Sequence, residues 1–224
     1  MIAKSTPPTT LPALLLSCWV SSASAQTPPT YDPAQLPAFR GTVLQYDLSS
    51  RGEVNGLILE DGLEVHMSIA RSAEIAAAVR PGDPVTVHGL KARLINVVRA
   101  VSLTDEATSV TVIDAGEKER GDRNGHLGNR HGHRETQDEP SVVHGVVRMT
   151  LHDSDGDLDG VLLTDGTIVH VSLQAVKLVA SQLVTGATLS IRGSLRVSSV
   201  GRLINADAIG PTQSQLTLLP ETRR

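Results

Sequence analysis

Cysteine is nearly absent from this sequence. Cys18 is the only one among 224 residues, and it lies in an apolar stretch near the N-terminus. A chain with a single cysteine cannot form an internal disulfide bond, and a chain cleaved after this stretch would have no thiol. Packing must therefore supply the stability of the folded part.

Long hydrophobic runs are also missing. The apolar run at 11–20 is shorter than the roughly 20 residues that span a bilayer, and no later segment approaches that length. It follows Lys4 and precedes Ala23-Ser24-Ala25, which is typical of a secretory signal peptide at 1–25. We expect cleavage near Ala25 and a periplasmic or secreted protein without a transmembrane segment. The alternative is a lipid anchor on Cys18, because Leu15-Leu16-Ser17-Cys18 loosely resembles a lipobox.

Aromatic side chains and excess positive charge are scarce as well. Aromatic residues make up 2% of the sequence, and the formal net charge is −4. Proteins that bind single-stranded nucleic acids usually stack bases on aromatic rings and attract phosphates with Lys and Arg. Beyond residue 25 the aromatic residues are Tyr31, Phe39 and Tyr46, and none lies in the second half of the chain. The composition therefore disfavours a nucleic-acid partner.

An internal repeat organises the rest of the chain. Residues 40–89 and 144–193 align without a gap at an offset of 104 positions, with Gly56 on Gly160 and Asp61-Gly62 on Asp165-Gly166. After a five-residue insertion, Arg93-Leu94-Ile95-Asn96 recurs unchanged as Arg202-Leu203-Ile204-Asn205. The chain therefore contains one duplicated domain.

Each copy has the pattern of five strands and one helix. Apolar and β-branched residues indicate the strands, and Asp-Gly pairs indicate tight hairpin turns. In the first copy the predicted strands are 41–48, 54–59, 63–67, 84–88 and 94–103. A helix with Ser72 as its N-cap is predicted between the third and fourth strands, ending at Pro81-Gly82, and 173–183 is its counterpart.

This order of elements resembles that of the OB fold, a five-stranded Greek-key barrel. Gly82-Asp83-Pro84-Val85-Thr86-Val87-His88-Gly89 is similar to a Gly-Asp-x-Val-x-Val-x-Gly turn and strand of bacterial OB domains, and 186–193 is a degraded second copy. The resemblance implies a mainly β protein with two tandem OB-fold-like five-stranded barrels. Each barrel would have one short helix between strands 3 and 4.

The repeat also sets the expected domain boundaries. The stretch between the copies is rich in Gly and charge and has few large apolar residues, so it cannot bury enough surface to order itself. The predicted segments are a signal peptide at 1–25, a flexible N-terminal segment at 26–37, the first OB-like repeat at 38–114, a disordered polar linker at 115–140, the second repeat at 141–212 and a flexible tail at 213–224.

The resemblance places a ligand site on the face of strands 2 and 3, rimmed by the loops that join strands 1 to 2 and 4 to 5. His66 and its counterpart His170 are expected on the outward side of strand 3. The loops of the first repeat supply a small basic rim. The candidate ligand-binding residues are Arg51, His66, Lys91, Arg93, His170 and Arg196. The alternative for the two histidines is a half-exposed strand position retained through duplication.

Two further segments suggest metal binding without completing a site. Asp155-Gly156-Asp157-Leu158-Asp159-Gly160 resembles the opening of a calcium-binding EF-hand loop, but the twelfth position is Gly166 rather than Glu. A turn rich in Asp and Gly is the better interpretation. Three linker histidines fit no structural zinc spacing: His126, His131 and His133. No metal site and no cofactor are predicted.

No acid/base pair or nucleophilic triad is evident, so no catalytic residue is predicted and the protein is not expected to be an enzyme. We predict a non-catalytic binding or scaffolding protein of the cell envelope, with an unknown protein or oligosaccharide as its partner. Paired weak sites, one on each barrel, would act together through their tether. The alternatives are a single-stranded nucleic-acid-binding OB-fold protein and a weak divalent-metal-binding protein.

Overall fold

The computed structural model describes residues 32–114 and 139–220. The predicted signal peptide, the cleavage site near Ala25, Cys18 and the three linker histidines lie outside the described residues. Residues 26–31 and 115–138 and the last four residues of the tail lie outside them too. The described part begins with a short 3-10 helix, Pro33–Gln35.

The first barrel is a closed sheet of five strands with a sixth short strand at its edge. Its strands are β1 (Ala38–Leu48), β2 (Val54–Leu59), β3 (Glu64–His66), β4 (Pro84–Lys91), β5 (Val97–Asp105) and β6 (Thr111–Ile113). They pair in the order β3-β2-β1-β4-β5-β6, and a parallel pairing of β3 with β5 closes the barrel. Helix α1 (Ser72–Ala78) connects β3 to β4.

The second barrel repeats this arrangement. Its elements are β7 (Glu139–His152), β8 (Leu158–Leu163), β9 (Thr167–His170), α2 (Leu173–Val179), β10 (Thr188–Ser198), β11 (Gly201–Gly210) and β12 (Thr217–Leu218). The sheet order is β10-β7-β8-β9-β11-β12, closed by the pairing of β10 with β11. Strand β12 pairs with β11, so regular pairing continues beyond residue 212. The predicted fold class is confirmed: the protein is mainly β, with two five-stranded barrels consistent with the OB fold.

Glycines at equivalent positions allow both barrels to close. A Cβ atom on Gly56 would lie 1.9 Å from the carbonyl oxygen of Val65, and one on Gly160 would lie 2.0 Å from that of Val169. The second and third strands of each barrel thus approach too closely for any side chain at these two positions. The repeated glycines are therefore a requirement of barrel geometry.

The helix prediction is correct in position and wrong in its cap. Ser72 is the first residue of α1, and its hydroxyl accepts the N–H of Val54 at 2.8 Å instead of capping the helix. The Ser68 hydroxyl caps a 3-10 helix, Ile69–Arg71, that comes before α1. In the second barrel Ser172 caps α2 directly. The extra 3-10 turn in the first barrel moves the start of its α-helix.

The repeated Arg-Leu-Ile-Asn motif has two different structures. In the first copy it lies in the loop before β5, which begins at Val97 rather than at the predicted 94. In the second copy, residues 202–205 lie inside β11 and pair with both β9 and β10. The five-residue insertion lengthens the β10–β11 hairpin and so converts the motif into strand.

One apolar cluster extends across both barrels. The buried side chains of the first barrel form a continuous cluster with four residues of the second barrel: Leu151, Leu162, Ile168 and Leu203. Other core residues of the second barrel, among them Val176 and Val179 of α2, form a separate cluster. Within residues 32–114 and 139–220, no helix is long and apolar enough to cross a membrane.

Candidate binding groove between the barrels

The barrels pack against each other through the side of the first three strands, joined in the second barrel by β11. Leu48 at the end of β1 belongs to the shared cluster with Ile168 of β9 and Leu203 of β11. A Cβ atom on Gly201 would lie 3.2 Å from Leu48 Cδ1. The face that the resemblance assigned to ligands is therefore largely interior, where apolar burial holds the barrels together.

His66 lies inside this interface, and the expectation that it faces outward or is half-exposed is wrong. The residue is 5% exposed. Its Nδ1 is 3.7 Å from Asp47 Oδ2, its Nε2 is 4.0 Å from Glu64 Oε2, and Nε2 has no hydrogen-bond partner within the described structure. Burial lowers the pKa of His66, while the Glu64 carboxylate opposes this shift. Burial also raises the pKa of Asp47 well above its usual range.

Glu64 joins the first barrel to the second through a pair of hydrogen bonds. The backbone N–H of His152 donates to Glu64 Oε2 at 2.7 Å, and His152 Nδ1 is 2.9 Å from Glu64 Oε1. The bond to Glu64 raises the pKa of His152, and partial burial of the ring opposes this shift. The repeat equivalents of these two residues are Ile168 and Leu48. A polar pair thus stands where the other half of the interface has apolar residues.

Four residues of the interface and groove were not predicted as site residues from the sequence: Asp47, Glu64, His152 and Asp159. A signal was available in the repeat, because three of these positions carry an apolar side chain in the other copy. Asp47 corresponds to Leu151, and Asp159 corresponds to the polar Asn55. Where a polar or charged residue in one copy aligns with an aliphatic residue in the other, the surroundings of that position differ between the copies.

His170 is held at the edge of the interface. Its Nε2 lies 2.6 Å from the carbonyl oxygen of Leu48 in the first barrel, and its Nδ1 lies 3.7 Å from Asp159 Oδ2. Burial raises the pKa of Asp159, and the nearby His170 opposes this shift. The His170 side chain is 13% exposed. This histidine is one of the residues that line an open groove along the junction of the barrels.

The inter-barrel groove has a volume of about 1720 Å³ and is lined by residues of both barrels. Arg51 comes from the loop between β1 and β2, while Arg192, Ser194 and Arg196 follow one another on the same face of β10. Successive side chains of a strand point to opposite faces, so every second residue lies on the same face. The lining residues are Ser49, Ser50, Arg51, Asn55, Asp159, His170, Val171, Ser172, Leu173, Arg192, Ser194, Arg196, Asn205, Ala206, Asp207, Leu218, Leu219 and Pro220.

Two hydrogen bonds cross the groove and join its walls. Asn205 Nδ2 donates to the carbonyl oxygen of Ser50 at 2.9 Å. The guanidinium of Arg196 donates to the carbonyl oxygen of Arg51. Both acceptors are backbone atoms of the β1–β2 loop, so the second barrel fixes the position of this loop.

The six candidate residues fall into three groups. Arg51, His170 and Arg196 line the inter-barrel groove. His66 is enclosed in the interface. Lys91 and Arg93 are exposed at the end of β4 and in the following loop, outside the groove lining. The structure therefore brings together one basic residue of the predicted rim and two candidates of the second repeat.

The acidic loop of the second repeat lies near the predicted basic rim of the first. A Cβ atom on Gly156 would lie 3.1 Å from Ile95 Cδ1, in the loop that follows Lys91. Asp153 Oδ1 accepts the backbone N–H groups of Asp155 and Asp157, each at 2.9 Å. This carboxylate organises the turn through local hydrogen bonds.

Comparison with known proteins finds no matching family model and no matching curated protein. Among solved structures, the single-stranded DNA binding protein from Thermus aquaticus is similar at 13% sequence identity, covering 84% of this chain and 95% of that chain with a TM-score of 0.23. A deletion mutant of the same protein is similar at 12% identity, with the same coverage and a TM-score of 0.21. These values give no basis for transferring an activity.

Proposed function

We propose that this protein is a non-catalytic binding protein of the cell envelope, in which the two OB-like barrels act as one body. Its ligand is an extended polar molecule that lies in the inter-barrel groove. The observation that carries this proposal is that both barrels build the groove, with Arg51 on one wall and Arg192 on the other. Binding therefore requires the assembled pair of barrels.

The size and lining of the groove support an extended ligand. Sites for small molecules usually measure about 300–1,000 Å³ and are mostly apolar. The groove is larger, at about 1720 Å³, and hydroxyl, amide and charged side chains form much of its lining. A linear chain with many hydrogen-bonding groups matches such a surface better than a compact apolar molecule.

The chemistry of the groove supports binding rather than catalysis. His170 is its one histidine among the described residues, and Nε2 of that ring is occupied by the Leu48 carbonyl oxygen. Its Nδ1 faces Asp159, so neither nitrogen is directed at the open space. A general base must lie within hydrogen-bond reach of its substrate, and the nitrogens of this ring are not so placed.

Two separate sites on the strand 2 and 3 faces, as the repeat first suggested, do not fit the packed interface. We place one composite site at the junction instead. The envelope location rests on the signal-peptide pattern at 1–25.

A test that does not depend on ligand charge is to block the groove sterically. Ser194 lies on the groove face of β10, and its repeat equivalent Leu90 is an exposed residue outside the groove. The purified protein would be screened against arrayed neutral oligosaccharides, acidic oligosaccharides, peptides and single-stranded DNA. We expect at least one class to bind, with the signal lost in Ser194→Trp and retained in Leu90→Trp.

Either of two results would overturn the proposal. One is that no class binds the wild-type protein. The other is a binder that Ser194→Trp leaves unaffected while the variant melts like the wild type, because the groove would then not be the site.

A second candidate function is single-stranded nucleic-acid binding, favoured by the three arginines of the groove. Its signature is an affinity that falls steeply with salt, as phosphate contacts release counterions. A weak salt dependence with retained binding would exclude this candidate for the ligand in question.

A further inference from the structure

We propose that the inter-barrel groove binds an acidic oligosaccharide, a sugar chain that bears carboxylate groups. This inference rests on the proposed function and narrows its ligand class. It is carried by the arrangement of guanidinium groups, hydroxyls and amides along the groove, and by the difference between the two copies of the repeat.

Two guanidinium groups are placed to bind anions from opposite walls of the groove. Arg192 lies on β10, two positions from Ser194 on the same strand face, while the guanidinium of Arg196 already donates to the carbonyl oxygen of Arg51. Arg51 stands on the opposite wall. Within residues 32–114 and 139–220, neither Arg51 nor Arg192 makes an ion pair with a carboxylate. Arg side chains bind carboxylates in a planar, bidentate geometry.

The negative charges of the groove do not cancel these arginines. The lining contains two carboxylates, Asp159 and Asp207. Asp159 is half-buried and lies against His170, while Asp207 is exposed on β11. Burial also raises the pKa of Asp159. By formal charge the lining has three arginines against two carboxylates, 3 − 2 = +1, although the whole chain is acidic.

The rest of the lining suits sugars better than nucleotides. Hydroxyl and amide groups can bind sugar hydroxyls, and the exposed Leu173 and Leu218 can contact the apolar faces of sugar rings. No Phe, Tyr or Trp lines the groove within the described residues. Nucleic-acid-binding OB folds gain about 1–3 kcal/mol per base from aromatic stacking, and this groove lacks that contribution.

The duplicated copy shows that this charge pattern is specific to one side of the molecule. At the repeat-equivalent positions, Asp155 stands in place of Arg51 and His88 in place of Arg192. The loop that carries Asp153, Asp155 and Asp157 would repel an anionic chain. One acidic oligosaccharide should therefore bind per protein chain, although the protein contains two barrels.

The experiment is isothermal titration calorimetry on the purified full chain. The probes are oligogalacturonate, oligomannuronate, a fully methyl-esterified oligogalacturonate of the same length, and an oligothymidylate. We expect a uronate to bind with 1:1 stoichiometry and the neutral methyl ester to bind at least tenfold more weakly. Arg51→Gln and Arg192→Gln should each weaken uronate binding roughly tenfold, the typical loss for a charge-assisted hydrogen bond. The matched control Lys91→Gln removes an exposed cation outside the groove and should change nothing.

The possible failures are distinguishable. Equal affinity for the methyl ester, or uronate binding that survives both arginine substitutions, overturns the acidic ligand class; the groove itself stands if Ser194→Trp still removes binding. Tighter binding of oligothymidylate than of either uronate also overturns the class and favours the nucleic-acid candidate. If neither the uronates nor the other two probes bind, the acidic oligosaccharide is rejected, and the ligand array then decides whether the groove binds any polar chain. Thermal melting of each variant confirms that it folds.

Discussion

Glu64 of the first barrel binds His152 of the second through both the imidazole Nδ1 and the backbone N–H, at 2.9 and 2.7 Å. The Glu64 side chain is 4% exposed and that of His152 is 16% exposed. This pair is the polar half of an interface whose repeat-equivalent half is apolar. Replacing the polar pair by the apolar residues of the other half therefore tests how much the pair contributes to the stability of the interface.

The first prediction is a double-mutant cycle on this pair. His152→Leu should lower the free energy of unfolding by about 3 kcal/mol, because it leaves the Glu64 carboxylate buried with a lost partner. The double variant E64I/H152L installs the residues found at the equivalent positions, and we expect it to lie within about 1 kcal/mol of the wild type. Chemical denaturation measures all four proteins. If the double variant lost as much free energy of unfolding as the two single variants together, the expectation that apolar residues can replace the pair would be wrong.

The second prediction concerns pH. Glu64 raises the pKa of His152 above its ordinary value of 6.5, so the folded state holds the His152 proton more tightly than the unfolded chain does. This contribution to stability is fully present below about pH 6.5 and is lost as the pH rises through the folded pKa. The stability difference between wild type and E64I/H152L should therefore favour the wild type more at pH 6 than at pH 8.5. Glu64 also acts on the pKa values of Asp47 and His66, so the single variant His152→Leu, which keeps Glu64, is the control. A difference that is flat across this range would show that the ion pair does not form.

The third prediction uses the repeated Arg-Leu-Ile-Asn motif. Leu203 is 1% exposed in the shared core, whereas its sequence equivalent Leu94 is 96% exposed. Leu203→Ala should cost about 2–5 kcal/mol, because it opens a cavity between the barrels. Leu94→Ala should change stability by less than about 0.5 kcal/mol. Differential scanning calorimetry gives both values. Equal effects would mean that the barrels do not pack as described.

The fourth prediction concerns barrel closure. Gly160→Ala would place a Cβ atom 2.0 Å from the backbone oxygen of Val169, where neither strand can move without breaking the sheet. We expect a loss of more than about 3 kcal/mol or a failure to fold. Gly82→Asn is the comparison: with φ +95° this glycine adds backbone strain on substitution but has no atom near its Cβ position, so its loss of stability should be smaller than that of Gly160→Ala. Circular dichroism during urea unfolding compares the two variants. A well-folded Gly160→Ala protein would count against the close approach of β8 and β9.

Much of the fold could be read from the sequence because its determinants are local and repeated twice. The Asp-Gly turns, the alternation of apolar residues and the glycines shared by both copies each specify a strand, a turn or a close approach without reference to distant residues. Strand ends were less predictable. The Arg-Leu-Ile-Asn motif forms a loop before β5 and a strand in β11, although its four residues are identical. Hairpin length, and not the motif, decides which structure it adopts.

The candidate site was predictable only in part. Arg51, His170 and Arg196 do meet along one groove, but they belong to different copies, so no pattern within one repeat connects them. Arg192, on the same strand face as Arg196, was not predicted, because an isolated arginine in a strand is usually a solvated surface residue. The placement of His66 inside the interface was missed for a different reason: period-two alternation assigns a residue to a face of the sheet without saying what covers that face.

The sequence by itself determined two mainly β barrels, their duplication and the short helix in each, since short-range patterning and turn chemistry specify these features. Only the tertiary structure decided that the strand 2 and 3 faces are buried against each other, that Glu64 meets His152 across 88 positions of sequence, and that the open site lies at the junction. The physical reason is that apolar burial depends on which surfaces meet. Two equivalent faces, each incompletely covered within its own barrel, are both removed from water when they pack together.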